Sequence, residues 1–260
     1  TLADWAMLGG AATLALISWI DDRRTLPAWP RFAAQIVAVA VTLALMPRFS
    51  LTGGVVPPGV EKLVLGLAWV WFVNLTNFMD GIDGITGVEA LSIAVGLLFA
   101  LPGAIPSGLL AIVAGCVLGF LVWNWHPAKI FMGDVGSIPL GYVLGYLMLQ
   151  GVAKHPEGWA VALILPALYW ADASLTLARR ALEGKAILRA HREHFYQKAN
   201  QGGWSHAQVC LLILVANLCL IGMAHLAAVG HSWQALAAAA AVTALILILF
   251  QTKFANRDKG

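Results

Sequence analysis

Apolar runs of membrane length alternate with short polar breaks along almost the whole chain. The runs are Leu2–Ile20, Arg31–Pro47, Leu63–Thr76, Gly87–Leu101, Ser107–Trp125, Pro139–Val152, Trp159–Leu177, Gln208–Val229 and Trp233–Phe250. A helix rises about 1.5 Å per residue, so about 20 apolar residues cross a hydrocarbon core roughly 30 Å thick. Lipid offers no partner to backbone amides, and runs of this kind can satisfy them only as helices. The pattern therefore predicts an all-α integral membrane protein, a polytopic transmembrane helix bundle with short loops. Residues 1–260 read as one domain, because no soluble insertion, repeat or low-complexity tract interrupts the spans. The shorter runs are candidates for re-entrant segments.

Composition sharpens this picture in one respect. The chain is 60% hydrophobic and 11% charged, which excludes a soluble domain of this length. It begins at Thr1 and enters a span at once, with no basic region of a cleavable signal ahead of it. It reads as part of a longer protein with further helices upstream. The three cysteines, Cys116, Cys210 and Cys219, lie inside spans without paired metal spacing and read as small buried residues.

Charge sets the orientation. With the first span running inward, one face receives Arg23, Arg24, Arg31, Lys129, Arg179, Arg180, Lys185, Arg189, Arg192, Lys198, Lys253, Arg257 and Lys259. The other receives only Arg48, Lys62 and Lys154. Thirteen of the 16 basic residues thus share a face, which the positive-inside rule makes cytoplasmic. The net charge of +3 is then an asymmetric belt suited to anionic lipid or phosphorylated substrates, and it carries no nucleic-acid signal.

The candidate chemistry lies on that same face. Asp21, Asp22, Asp80, Asp83 and Asp134 all sit at span ends on the cytoplasmic side, where ionisable groups mark substrate or ion sites. Asp21 and Asp22 adjoin Arg23 and Arg24, so the pair suits a metal or general-base role or, more plainly, a stop-transfer flank. Asn74, Asn77, Asp80 and Asp83 recur every third residue, which on a helix would form one polar ladder ending at Gly81 and Gly84. Oxygen donors of this kind suit a hard divalent cation. In Phe131-Met132-Gly133-Asp134-Val135-Gly136-Ser137, two glycines flank one acid at a helix start, a setting for phosphate oxygens. Lys129 could add a cation and Phe131 a flat face for a base, or merely an interfacial aromatic. His191-Arg192-Glu193-His194-Phe195-Tyr196-Gln197 would put two imidazoles one helical turn apart in a basic loop, too few ligands for zinc but suited to a diphosphate. His126 is ambiguous, and Asp172 reads as a packing partner for Arg179 or Arg180.

In this order, DDRR, NLTNFMDGIDG, FMGDVGS and HREHFYQ resemble the motifs of the polyprenyl-phosphate N-acetylhexosamine-1-phosphate transferases, from Asp21 to about His206. The resemblance implies a catalytic bundle of roughly ten membrane helices with a cytoplasmic cleft in the bacterial inner membrane. The reaction implied is transfer of a sugar 1-phosphate from a UDP-sugar to undecaprenyl phosphate, with release of UMP. It further implies Mg²⁺ (Mn²⁺ as a substitute) at Asp134, with Asn77 and Asp80 close by. Asp21 and Asp22 would stand near the lipid phosphate, Asp83 and Phe131 at uracil, with Asn74 and Lys129 lining the substrate site. His191, Arg192 and His194 would close on the diphosphate and sugar. The expected partners are the UDP-sugar, undecaprenyl phosphate and the bilayer, with homodimerisation left open.

Two departures stand out. The helices and basic Pro-rich loop that precede DDRR in that family are absent from this chain, and HREHFYQ leans towards the O-antigen-initiating branch. Phospho-N-acetylmuramoyl-pentapeptide transfer is the alternative within the family. An ion-coupled transporter is the alternative outside it, disfavoured because the acids hug one face and no repeat is present.

Overall fold

The computed structural model of the protein describes residues 1–24, 26–47, 49–186 and 191–257, with the backbone alone at 256 and 257. Arg48, Arg189 and Lys259, three of the cations used for orientation, lie outside the described residues. The described residues form helices and no strands. In chain order the helices are α1 (Leu2–Arg24), α2 (Ala28–Leu45), α3 (Pro58–Met79), α4 (Ile85–Ala100), α5 (Ser107–Asn124), α6 (Gly133–Lys154), α7 (Gly158–Ile164), α8 (Ala167–Leu182), α9 (Phe195–Gln201), α10 (His206–Leu226) and α11 (Ser232–Arg257). Six stretches are long and apolar enough to cross a membrane, or seven if the pair α7 and α8 forms one span, and α4 is a shorter apolar helix. This is a multi-pass membrane bundle.

Each expected span appears as helix, with two refinements. The run Trp159–Leu177 is not straight: it breaks at Leu165–Pro166 into α7 and α8, inclined by 62°. Pro166 has no amide hydrogen to continue the ladder, which is where such bends form. The last two runs form one 50-residue helical stretch, His206–Ala255, interrupted at Val229 and Gly230. Gly230 has φ of 99°, a left-handed value that favours glycine, and α11 packs against α10 beyond it.

α6 is the central strut and packs on α1, α3, α4 and α7. Small residues let neighbours approach it closely, as membrane interfaces require. A Cβ at Gly145 would run into the indole of Trp69 on α3. That indole stacks on Tyr142 with centroids 4.9 Å apart and donates Nε1–H to the Tyr142 carbonyl at 3.0 Å. The Tyr142 hydroxyl in turn meets Thr42 of α2 at 2.6 Å, so a buried polar group is satisfied inside the bundle. This packing ties α2, α3 and α6 together, and α1 packs on α2 and α6 beside them.

Candidate active site

The site begins where α3 gives out. Asn74 and Asn77 are helical, Asp80 is the residue that caps α3, and Asp83 lies in the turn before α4. The expected four-residue ladder therefore splits after Asn77. The reason is the Gly81-Ile82-Asp83-Gly84 turn: Gly84 sits at φ of 84° and starts α4, a value at which a continuous helix cannot pass. The split sends the two acids to different neighbours. Asn74 takes a third course, donating to Gln35 and to the Val70 carbonyl at 2.7 Å each, which turns it towards α2.

One neighbourhood gathers around Asp134, in the first turn of α6. Asn77 donates its amide to Asp134 Oδ1 at 2.8 Å and to Ser137 Oγ at 2.9 Å, so its carbonyl oxygen is the end that a cation can meet. Arg31 of α2 lies 3.3 Å from Asp134 Oδ2 and 2.5 Å from Asp21 Oδ2. The Leu26 amide also donates to Asp21, at 2.6 Å. Arg31 thus bridges the first and third acidic motifs. Its own Nε is buried without an acceptor among the described residues. Asp22 is exposed beside this bridge and does not join it. Asp80 faces the same neighbourhood: burial, and then the charge of Asp134, push its carboxyl up to about 6, against an opposing hydrogen bond from Thr86.

Alongside runs a groove of about 490 Å³. Its apolar wall includes Trp29, Phe32, Phe78 and Ile138, and its polar floor Arg31, Asn74, Asn77 and Asp134.

The second neighbourhood surrounds Asp83. Its Oδ2 meets His126 Nδ1 at 2.7 Å, the Ala128 amide at 3.1 Å and His206 Nδ1 at 3.2 Å. Burial alone would raise this carboxyl, but the imidazole and amide contacts outweigh it and hold the value below the usual carboxylate range. The turn is stitched to its surroundings as well. Asn124 accepts from the Gly84 amide at 2.9 Å and donates to the Ile130 carbonyl at 2.8 Å, while Cys210 lies against the Asp83 carbonyl at 3.2 Å. Phe131 is 76% exposed on the adjoining loop, and Lys129 lies over the Trp123 ring at 5.2 Å.

The basic loop differs from its expected form. His191 and His194 do not share a helical turn, because α9 starts only at Phe195 and His194 is its N-cap. The two rings stack with centroids 4.9 Å apart. His194 is only 2% exposed, and its Nδ1 lies 3.0 Å from Asp172. Asp172 also accepts the Phe195 and Tyr196 amides at 3.0 Å each, supplying the carboxylate that a helix start favours. The expected pairing of Asp172 with Arg179 or Arg180 is thereby corrected: both arginines turn to Glu193 instead. Burial, then its neighbours His194 and Arg180, push the His191 imidazole down to about 4. Arg192 is exposed, with its carbonyl held by Gln201 at 2.8 Å. Tyr196 closes the arrangement, its hydroxyl directed at the Phe78 carbonyl at 3.4 Å and packed so closely on Gly81 that a Cβ there would collide with it.

Arg31, Asn124, His126, His206 and Asp172 are among the residues that sequence reasoning did not place in the site. Arg31 was one cation among thirteen, and its position facing the DDRR turn was the available signal. His206 stands eighty residues from His126, and no local spacing links them.

A multi-pass helical bundle that gathers carboxylates, amides and a guanidinium beside a largely apolar groove is a membrane protein with a charged candidate site where its helix ends meet. The chain matches glycosyl transferase family 4 over residues 5–152 and belongs to that family. The first three acidic motifs fall inside the matched residues, and HREHFYQ falls beyond them. It is 31% identical over 243 residues to a decaprenyl-phosphate N-acetylglucosaminephosphotransferase of Mycolicibacterium smegmatis, covering 80% of this chain and 59% of that protein. A probable undecaprenyl-phosphate N-acetylglucosaminyl 1-phosphate transferase of Bacillus subtilis is 31% identical over 224 residues, covering 80% and 61%. A phospho-N-acetylmuramoyl-pentapeptide-transferase of a Caulobacter species is 30% identical over 272 residues, covering 85% and 71%. The chain thus spans about three fifths of the length of the first two relatives.

Proposed function

We propose that this protein is an inner-membrane enzyme that transfers N-acetylhexosamine 1-phosphate, or a 6-deoxy N-acetyl sugar 1-phosphate, from a UDP-sugar to undecaprenyl phosphate, with its site facing the cytoplasm. The observation that carries the reading is the groove whose apolar wall meets a polar floor at Arg31 and Asp134. A polyprenyl chain suits the wall, and its phosphate suits a guanidinium that is partly desolvated and has an Nε–H without an acceptor among the described residues. The names of the relatives, all acting on polyprenyl phosphates or on a phospho-muramoyl peptide, support the same class of chemistry.

Displacement at phosphorus between two anions needs positioning and charge neutralisation before anything else. An oxygen of the lipid phosphate forms a bond to the sugar-bearing phosphorus. The bond from that phosphorus to the bridging oxygen breaks, and UMP leaves with the electron pair. Arg31 holds the acceptor phosphate, and Asp21 holds Arg31. Asp22, exposed and outside that ion pair, takes the proton of a singly protonated acceptor phosphate. Asp134, Asp80 and the Asn77 carbonyl form an oxygen-only donor set for Mg²⁺. Asp80 fits such an ion, because burial beside a second acid disfavours its charge until a cation is present. When bound, Mg²⁺ supplies charge neutralisation at the diphosphate. Asp83 Oδ1, the oxygen outside the imidazole contacts, meets the nucleobase edge with Phe131 against its face. His191 and Arg192 close over the diphosphate from a loop that Asp172 anchors through His194.

The test is UMP release by the purified full-length protein with undecaprenyl phosphate and a panel of UDP-sugars. Release with a UDP-N-acetylhexosamine or a 6-deoxy relative supports the reading, and the preferred sugar assigns the branch. Release only with UDP-N-acetylmuramoyl-pentapeptide moves the protein to the peptidoglycan branch. Solute flux without UMP release overturns the enzyme reading.

A further inference from the structure

We propose that Asp83, His126 and His206 form a site for a transition-metal cation of the Zn²⁺ class, separate from the oxygen-lined pocket at Asp134. One ligand atom from each lies within 4.8 Å of the other two, and this is the one such group of three among the described residues. The donors are two imidazole nitrogens and one carboxylate. Imidazole selects Zn²⁺ and its neighbours over the hard Mg²⁺, which the Asp80, Asn77 and Asp134 oxygens would suit.

The ring nitrogens of both histidines converge on one carboxylate oxygen. His206 Nδ1 lies 3.3 Å from the Asp83 amide, a donor, and 3.2 Å from Asp83 Oδ2, an acceptor. The Nδ1 lone pair serves one partner at a time, so a cation between Nδ1 and Oδ2 would take it in place of the 3.3 Å amide contact. His126 Nδ1, 2.7 Å from the same oxygen, supplies the third donor.

The site has the right reach and access. Tetrahedral Zn²⁺ with bonds of about 2.0–2.1 Å separates its donors by about 3.3–3.4 Å. The His206 contact is already at 3.2 Å, and the His126 contact must open by about 0.6 Å. The side chains can make that adjustment, since His126 is 37% and His206 27% exposed, while Asp83 at 12% is the anchored member. The backbone beneath Asp83 is held by Asn124 at Gly84 and by Cys210, so the carboxylate has a fixed base. The Ala128 amide keeps its bond to Oδ2 at 3.1 Å and orients it. Three donors leave a fourth position for water, as in open zinc sites. The ligands come from the α3–α4 turn, the α5–α6 loop and the start of α10, so the ion would tie together three connections that are distant in sequence.

This inference does not rest on the proposed reaction, and its test uses no sugar or lipid substrate. The full-length protein in lipid nanodiscs, with excess Mg²⁺ to fill oxygen sites, is titrated with Co²⁺ as the probe. The expected result is tetrahedral Co²⁺ absorption saturating at one equivalent and displaced by Zn²⁺. His206→Ala and His126→Ala should each weaken binding by about 100-fold or more, beyond the 10–100-fold typical of outer-shell changes. Asp134→Asn should leave it unchanged. Absence of a saturable Co²⁺ signal in the unaltered protein overturns the site, and that arm needs no variant to fold. Binding that survives both histidine substitutions overturns the assignment of ligands.

Discussion

Asp80 and Asp83 stand three residues apart and share one glycine-rich turn, yet their surroundings push them in opposite directions. Asp80 is half-buried near a second acid and rises to about 6. Asp83 is held below the usual range because two imidazoles and an amide overcome its burial. The lesson is that a run of like residues need not form one site. The turn between them parts an oxygen-only neighbourhood, suited to charge neutralisation at phosphate, from a nitrogen-rich one suited to fixing a carboxylate in place.

The two acids should therefore fail differently. Asp134→Asn, which removes charge from the Asp80 neighbourhood at nearly constant volume, should lower kcat by about 100-fold or more with the protein still folded. Asp83→Asn should act mainly on KM for the nucleotide sugar. Equal losses of kcat in both variants, measured as UMP release, would break the comparison. A smaller effect is expected at the bridge between motifs. Arg31→Ala leaves Asp21 and Asp134 without their guanidinium and should raise KM for the lipid phosphate by about 10-fold or more, with Arg31→Lys recovering part of it. Unchanged acceptor kinetics would remove Arg31 from the site.

The smallest effect is on stability and has a definite sign. The folded-state value of Asp80 lies above its ordinary value, about 6 against 3.8. The folded chain therefore binds that proton more tightly, and the stability from this group is complete below about pH 4 and lost as pH rises through about 6. In chelator, Asp80→Asn should thus raise the melting temperature at pH 8 and leave it nearly unchanged at pH 4. The pH-dependent part is at most about 2–3 kcal/mol. A variant that is destabilised at pH 8 without metal would show that the carboxylate is not the strained group.

Much of the fold was legible because bilayer thickness disciplines the sequence. Apolar runs must be about as long as the spans they make, so α5 begins at Ser107 as read and ends one residue short of Trp125. The bend at Pro166 was visible as a proline, but the continuous apolar composition around it concealed how far the helix turns. The convergence of acids on one end was legible from topology alone. Their partners were not, because a partner is chosen in three dimensions. Asp172 lies seven and eight residues before Arg179 and Arg180 on one helix, which invites pairing along it. The structure instead uses the carboxylate to start α9, where backbone amides lack partners, and Glu193 serves the arginines.

The contact between Gly81 and Tyr196 bears on the history of each molecule as it is made. The ribosome delivers the acidic turn long before Tyr196, and no side chain other than the missing one of glycine leaves room for that ring to seat. Until Tyr196 arrives, the turn that carries Asp80 lacks its cover, however completely the earlier helices have entered the bilayer. The order is thus set along the chain: the turn that carries Asp80 is covered by a segment translated only after α8, and a product stopping before α9 would leave that turn uncovered.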